Sequence, residues 1–487
     1  MSTPPATPPR SIPILPAART EPDEFVSLYA KQPKIYPRSV SGWFARWRWT
    51  MVWLTQLVFY GLPWATWNGQ PAMLFDLDAR EFHVLGLTMF PQDFIYLTAL
   101  LVLAALALFF FTAVAGRLWC GYACPQTVYT EIFLWVERRL EGDRLARMRL
   151  DQAAPGAEKL LRKGAKHTVW LALSLFTGFS FVGYFTPIRT LGAQMLSLSM
   201  GPGDLFWVLF YGLATYGNAG WLREQVCKYM CPYARFQSAL IDKDSLIITY
   251  DAGRGDPRGS RRRGSDAKAQ GLGDCIDCTL CVQVCPTGID IREGLQNECI
   301  GCAACIDVCN DVMDKMGSPQ GLIRYATENG VAGGWTRARM LRRVLRPRVL
   351  VYGAVLLSVS AAFAASVAMR RPFHVDVLKD RNVLARQVED GRIENVYRLQ
   401  LHNDSGVARR YNVRASGIAG LQLAGAAQLS LLSGQTGTLP LRLQLPAEAA
   451  TPLRGQVTPI QFEIEAQAEA GAVRAVVHEK STFVVPR

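Results

Sequence analysis

Twelve cysteines fall in four tight groups and nowhere else; none follows Cys309. Disulfide cysteines are scattered through the domain they staple, so this grouping points to metal ligation or thiol redox chemistry. The sharpest group is "CIDCTLCVQVCPTG", Cys275 to Gly288, spaced C-x2-C-x2-C-x3-C-P as in bacterial ferredoxins. "CIGCAACIDVCN" repeats the spacing from Cys299, with Asn310 in the place of the proline. Thiolates are soft ligands, and four of them saturate a cubane iron–sulfur cluster. In such paired runs the first three cysteines wrap one cluster and the fourth reaches the other. Cys275, Cys278, Cys281 and Cys309 are therefore expected on one 4Fe–4S cluster, and Cys299, Cys302, Cys305 and Cys285 on a second. Zinc favours pairs set well apart, not triplets at three-residue intervals, so two zinc sites are not expected. Two adjacent clusters with no evident substrate site mean one-electron transport.

The other four cysteines form two C-x-x-x-C-P pairs, Cys120 and Cys124 in "WCGYACPQT" and Cys227 and Cys231 in "VCKYMCPYARFQ". Proline suits the first turn of a helix and pushes the preceding residue out of helical geometry. Pro125 is thus expected to open an amphipathic helix, "PQTVYTEIFLWVERRLEG", and Pro232 to open "PYARFQSALIDKD". Cys124 and Cys231 then sit at helix N-termini, where the dipole favours thiolate. Four such sulfurs brought together make a soft site that favours Cu(I) over Cu(II). The spacing does not choose between metal binding and dithiol/disulfide cycling. His83, His167, Asp242 and Asp244 carry no comparable pattern; the aspartates are expected on a solvated helix face.

Both pairs close apolar stretches, and five stretches are expected to cross a bilayer: Thr50–Trp67, Phe94–Ala115, Thr168–Phe185, Leu205–Trp221 and Val349–Met369. The proline-rich, polar start of the chain argues against a cleaved signal peptide. Lys+Arg counts alternate between the intervening segments: 7 in residues 1–48, 1 in 68–90, 10 in 117–167, 1 in 187–203 and 19 in 222–348. By the positive-inside rule the N-terminus and the ferredoxin insert are cytoplasmic and the C-terminal part lies outside. Both thiol pairs then share the membrane face of the clusters. The same distribution accounts for most of the +13 net charge without nucleic acid, and "RGSRRRGSDAK" reads as a solvated linker. After Met369, apolar alternation in "NVYRLQLHNDSG", "RRYNVRASGI", "LRLQLP", "IQFEIEAQ" and "RAVVHEKSTFVV" points to a small β-sandwich. It carries no ligand cluster and no nucleophile–base pattern, leaving a docking role or a stabilising cap.

The order of spans, thiol pairs, double-cluster insert and outer β domain resembles the cytochrome c oxidase accessory proteins called CcoG, FixG or RdxA. The likeness rests on "WCGYACPQ", "CKYMCPYARFQ", "CIDCTLCVQVCPTGIDIR" and "CIGCAACIDVCNDVMDKM", and it covers the chain from about Tyr36. It implies an α-helical integral membrane protein of the bacterial inner membrane with five transmembrane helices. An inserted double-cluster ferredoxin domain and a C-terminal immunoglobulin-like β-sandwich complete the fold. The expected divisions are a tail (1–48), a four-helix membrane domain (49–222), a connector (223–270), the ferredoxin domain (271–325), a linker (326–348), the fifth span (349–369) and a periplasmic domain (370–487). The implied function is assembly of cbb3-type oxidase, with an oxidoreductase activity that reduces Cu(II) to Cu(I). Cys120, Cys124, Cys227 and Cys231 become the copper-handling residues. The implied partners are the lipid bilayer, oxidase assembly factors or a copper transporter or chaperone, and a cytoplasmic electron donor; a homo-oligomer is left open. A quinol-linked electron shuttle, or a non-enzymatic copper carrier or scaffold, are the alternatives.

Overall fold

The computed structural model describes residues 34–67, 70–369, 373–379, 385–388, 391–403, 408–467 and 475–486. The tail before Lys34 and the Asp404–Gly406 part of the turn after β-strand Ile393–Asn403 lie outside them.

The helical part runs α1 (Trp43–Gly61), α2 (Phe94–Ala115), α3 (Pro125–Leu140), α4 (Ala157–Val182), α5 (Pro202–Thr215), α6 (Pro232–Leu240) and, after the ferredoxin insert with its own helix α7 (Ala304–Met316), α8 (Pro347–Ala368). Among the described residues, two of these, α2 and α8, are long and apolar enough to cross a membrane. The other three expected spans only overlap α1, α4 and α5, which are not among the helices long and apolar enough to cross, and whose bounds differ from the apolar runs. α1 begins seven residues before Thr50 because the Asp307 carboxylate accepts hydrogen bonds from the Phe44 and Ala45 amides, at 3.2 and 2.7 Å. That contact caps the helix from a distant part of the chain. Arg46 and Arg48 therefore fall inside α1, and its helix gives way to a short 3-10 turn that contains Pro63. α4 extends back over Lys159, Arg162, Lys163 and Lys166. α5 has 14 residues and passes into two π-helical turns, Tyr216–Leu222 and Val226–Met230.

α2 and α8 pack antiparallel. Tyr96 near the start of α2 donates to the Ser366 carbonyl near the end of α8, and Arg346, just before α8, donates to the Ala113 carbonyl near the end of α2. The two ends of this pair carry different domains. At the start of α2, Phe90 meets His402 edge-to-face at 5.1 Å, beside the small antiparallel sheet β1 (Met73–Asp76), β2 (Glu81–Val84) and β3 (Leu87–Met89). His402 belongs to the C-terminal sandwich. The other end of α2 meets the ferredoxin insert.

In that insert β4 (Ile247–Tyr250) pairs antiparallel with β5 (Ile323–Ala326), in the register Ile247↔Ala326 and Tyr250↔Ile323. The expected connector, 223–270, thus contributes a strand that pairs within the insert. Asp242 and Asp244 lie beyond the end of α6 and not on a solvated helix face. Asp242 accepts from Arg346 at 2.8 Å and Arg348 at 3.1 Å, tying the insert to the base of α8.

The C-terminal part is the expected two-sheet sandwich. Its strands are β6 (Phe373–Lys379), β7 (Ile393–Asn403), β8 (Arg409–Ser416), β9 (Gln422–Ala424), β10 (Gln428–Leu431), β11 (Thr436–Leu445), β12 (Val457–Gln467) and β13 (Ala475–Val484). One sheet has the order β9-β11-β7-β6, with the two-residue strand Arg386–Gln387 also paired to β7, and the other has the order β10-β8-β12-β13, all antiparallel. Alternate residues point inward, so Phe373, Tyr397, Tyr411, Phe462 and Phe483 fill the space between the sheets.

Candidate iron–sulfur and thiol site

The two ferredoxin runs wind in the same way. Asp277 and Thr279 flank Cys278, Gly301 and Ala303 flank Cys302, and all four have left-handed φ, from 52° to 70°. Three are not glycine, and each such residue costs about 1–3 kcal/mol unless its surroundings demand the conformation. Alternating turns of this kind aim successive amides inward, as in anion-binding nests. The demand comes from what the loops enclose. One cavity is lined by Cys275, Cys278, Cys281 and Cys309, closed by Ile276, Leu280, Val312, Met313 and Ile323. A second is lined by Cys285, Cys299, Cys302 and Cys305, with Cys281 on the shared wall and Ile289, Ile291, Ile300 and Ala304 around it. The fourth cysteine of each run lines the cavity of the other run's first three. Four thiols around an apolar pocket with inward amides fit a cubane, each sulfur taking a separate iron. Among the described residues no three His, Cys, Asp or Glu converge on a single ion.

The C-x-x-x-C-P pairs form as expected at helix starts. Cys124 is extended and precedes Pro125 at the first turn of α3; Cys231 does the same before Pro232 and α6. Cys120 lies on a short helix, Leu118–Tyr122, and Cys227 in the second π-helical turn. The fold brings the two pairs together over the second cavity. Cys120 and Cys227 pack against one apolar patch made of Val284, Ile300, Cys302, Ala304 and Val308. The backbones interlock: a Cβ on Gly121 would lie 2.8 Å from the Gly301 carbonyl and 3.0 Å from Cys302 Cα. Only a glycine admits this approach. The four thiols are not gathered around one ion, so the expected four-sulfur copper site is not closed as it stands. Burial pushes the Cys120 thiol up to about 12 and the Cys227 thiol up to about 11, with the neighbouring Cys124 adding to both.

Several residues that hold this junction carry no sequence signature. Gln237 is fully buried, accepts from Cys120 Sγ at 3.3 Å and reaches Thr112 at 3.5 Å. Arg117 donates to the Asn297, Cys299 and Ala234 carbonyls and to Ser238 Oγ. Arg48 lies buried between Glu131, Cys227 and Cys302. Glu137 anchors α3 by accepting from Arg147 at 2.8 Å and Arg223 at 2.6 Å. A charged residue within or beside an apolar run was the one available clue, and it singles out none of their partners. His167 and His83 have local roles. His167 bonds Tyr216 at 2.9 Å and stacks on Trp221, and His83 bonds Thr88 at 3.2 Å.

Known proteins share this arrangement. A family described as a 4Fe-4S dicluster domain matches residues 222–328, and one described as an IG-like fold at the C-terminal of FixG matches 363–486. A third, a 4Fe-4S binding domain, matches 97–142 and spans Cys120 and Cys124. The chain is 39% identical over 464 residues to Protein RdxA of Cereibacter sphaeroides, covering 92% of this chain and 97% of that protein. It is 39% identical over 433 residues to Nitrogen fixation protein FixG of Rhizobium meliloti, covering 82% and 83%. The crystal structure of a FixG-related protein from Vibrio parahaemolyticus matches at 22% identity and a TM-score of 0.20, over 24% of this chain and 98% of that one. With relatives this similar along nearly its whole length, the chain belongs to the FixG/RdxA family.

Proposed function

We propose that this iron–sulfur electron-transfer protein works in the assembly of cbb3-type cytochrome c oxidase by reducing Cu(II) to Cu(I). In this reading Cys275, Cys278, Cys281 and Cys309 hold one 4Fe–4S cluster, and Cys285, Cys299, Cys302 and Cys305 hold the other. When bound, each cubane takes up and gives back one electron. The protein sits in the bacterial inner membrane with five spans. The ferredoxin part faces the cytoplasm and its electron donor, and the sandwich faces the periplasm. An oxidase assembly factor or a copper transporter or chaperone delivers or receives the metal.

The observation that carries this reading is the seating of Cys120 and Cys227 directly on the Ile300–Cys302 loop. Val284, Ile300, Ala304 and Val308 supply the apolar surface on which the two thiols sit. Cys120, Cys124, Cys227 and Cys231 take the copper ion as substrate, and gain of one electron converts Cu(II) to Cu(I). Soft sulfur retains the reduced ion, which helps draw the reaction forward. Their raised thiol pKa values keep Cys120 and Cys227 protonated at neutral pH until a metal displaces the proton.

The test uses the purified full-length protein under anaerobic conditions, with clusters reduced beforehand. Added Cu(II) is expected to reoxidise the clusters and form Cu(I), read with a Cu(I)-specific chromophore. Cys120→Ser and Cys227→Ser are each expected to slow this by about tenfold or more while iron content stays unchanged. Copper that binds while the clusters stay reduced would replace this reading with a carrier or scaffold. Reoxidation by a quinone analogue that ignores both substitutions would replace it with a quinol-linked shuttle.

A further inference from the structure

The two cysteine-lined cavities lie in different electrostatic settings. The cavity of Cys275, Cys278, Cys281 and Cys309 borders Arg292, whose charge is spent on two carboxylates: Asp290 at 2.6 Å, and Asp277. Cys278 beside it is exposed. The cavity of Cys285, Cys299, Cys302 and Cys305 instead meets two buried arginines sent in from the helical part. Arg117, 8% exposed, spends its donors on neutral acceptors, among them the carbonyl of Cys299 itself at 3.3 Å. Arg48, 6% exposed, shares a cavity wall with Ile300 and Cys302. Its Nε has no hydrogen-bond partner, and Glu131 stands 3.9 Å away and nearer to Arg138, at 3.2 Å.

Reduction adds one negative charge to a cluster. A buried cation whose charge is not already met by carboxylates stabilises that charge with little screening, whereas one held between two carboxylates, as Arg292 is, does so weakly. Charge, hydrogen bonding and exposure around the sulfurs are what set cluster potentials. Resting on the two-cluster reading above, we propose that Arg48 and Arg117 hold the cluster beneath Cys120 and Cys227 at a higher reduction potential than the exposed one. The two arginines are positioning residues for electron flow. An electron delivered by a one-electron donor at the exposed cluster is drawn inward, toward the thiols, and does not return to the surface.

The experiment is a redox titration of the full-length protein, followed by electron paramagnetic resonance in detergent, with iron and acid-labile sulfide counted on every sample. Wild type is expected to show two midpoints. Poised between them, the reduced cluster is expected to be the buried one, so an aqueous paramagnetic lanthanide chelate leaves its relaxation unchanged. Arg48→Gln and Arg117→Gln are each expected to move the upper midpoint to more negative values and leave the lower one in place. Arg48→Lys, which keeps the charge, is expected to restore most of the shift; a merely structural role would not give this pattern. Full iron with an unmoved upper midpoint in both glutamine variants overturns the proposal. So does a wild-type protein whose first-reduced cluster responds to the chelate. That second result needs no variant to fold. Wild-type iron well short of about eight per chain overturns the two-cluster reading itself, and this inference with it.

Discussion

Gly121 stands where two backbones meet, and that makes it a sensitive probe of the junction between thiols and clusters. Alanine there brings a methyl group against the Gly301 carbonyl at 2.8 Å, and no flexible side chain is available to yield. Gly121→Ala is expected to cost about 1–3 kcal/mol, as overpacking does. It is also expected to slow copper-dependent cluster reoxidation, with iron content unchanged; chemical denaturation and a single-turnover mix would measure the two effects. Unchanged rates would mean that the loop contact does not govern transfer. The cysteines themselves were legible from spacing, because ligand geometry imposes a local pattern that survives in one dimension. Gln237, Arg117 and Arg48 were not. Each acts on a loop more than a hundred residues away, and an amide or a guanidinium looks the same in sequence whether it faces water or a sulfur.

Helices α3 and α4 are joined by a buried ionic network. Glu137 accepts from Arg147 and Arg223, and the Lys166 ammonium forms an ion pair with Glu141 at 3.0 Å and stands 3.8 Å from Glu137. Removing one partner of such a set strands the others, so Glu137→Ala is expected to destabilise the protein by about 3–5 kcal/mol in a thermal or denaturant melt. Burial alone would raise the Glu137 pKa, but Arg223, Arg147 and Lys166 together hold it below the ordinary value of 4.5. A carboxyl depressed by folding contributes stability above its unfolded pKa and loses it as the pH falls through its folded pKa. Wild type is therefore expected to lose stability in acid below 4.5 more steeply than Glu137→Gln, which has no such group to protonate. Parallel slopes would remove the network from the account. At this scale the prolines announced α3 and α6, and strand alternation announced the sandwich. The start of α1 and the pairing of β4 stayed hidden, because the cap of one and the partner of the other lie far along the chain.

For the molecule as a whole, the sandwich contacts the chain at the start of α2 and the ferredoxin insert at its end, through Phe90 and Arg117 respectively. If α2 crosses the bilayer, the two domains face opposite compartments. Protease added to sealed spheroplasts is expected to trim the domain of residues 373–486 and spare residues 247–326, while lysis exposes both. Protection of the sandwich and loss of the insert would reverse the orientation drawn from loop charge. Of the five expected spans, the two strongest apolar runs are legible as the long apolar helices α2 and α8, since an unbroken apolar stretch is a local signal; the orientation follows from loop charge alone.

The Asp307 cap on α1 also bears on how such a protein is made. Asp307 lies between Cys305 and Cys309, and it is 263 residues downstream of Phe44, whose amide it accepts. The first helix thus emerges from the ribosome long before its clasp is synthesised, and the clasp is set in place by the segment that iron must organise. A cell starved of iron would accumulate chains whose α1 is left unfastened, a form that proteolysis can single out.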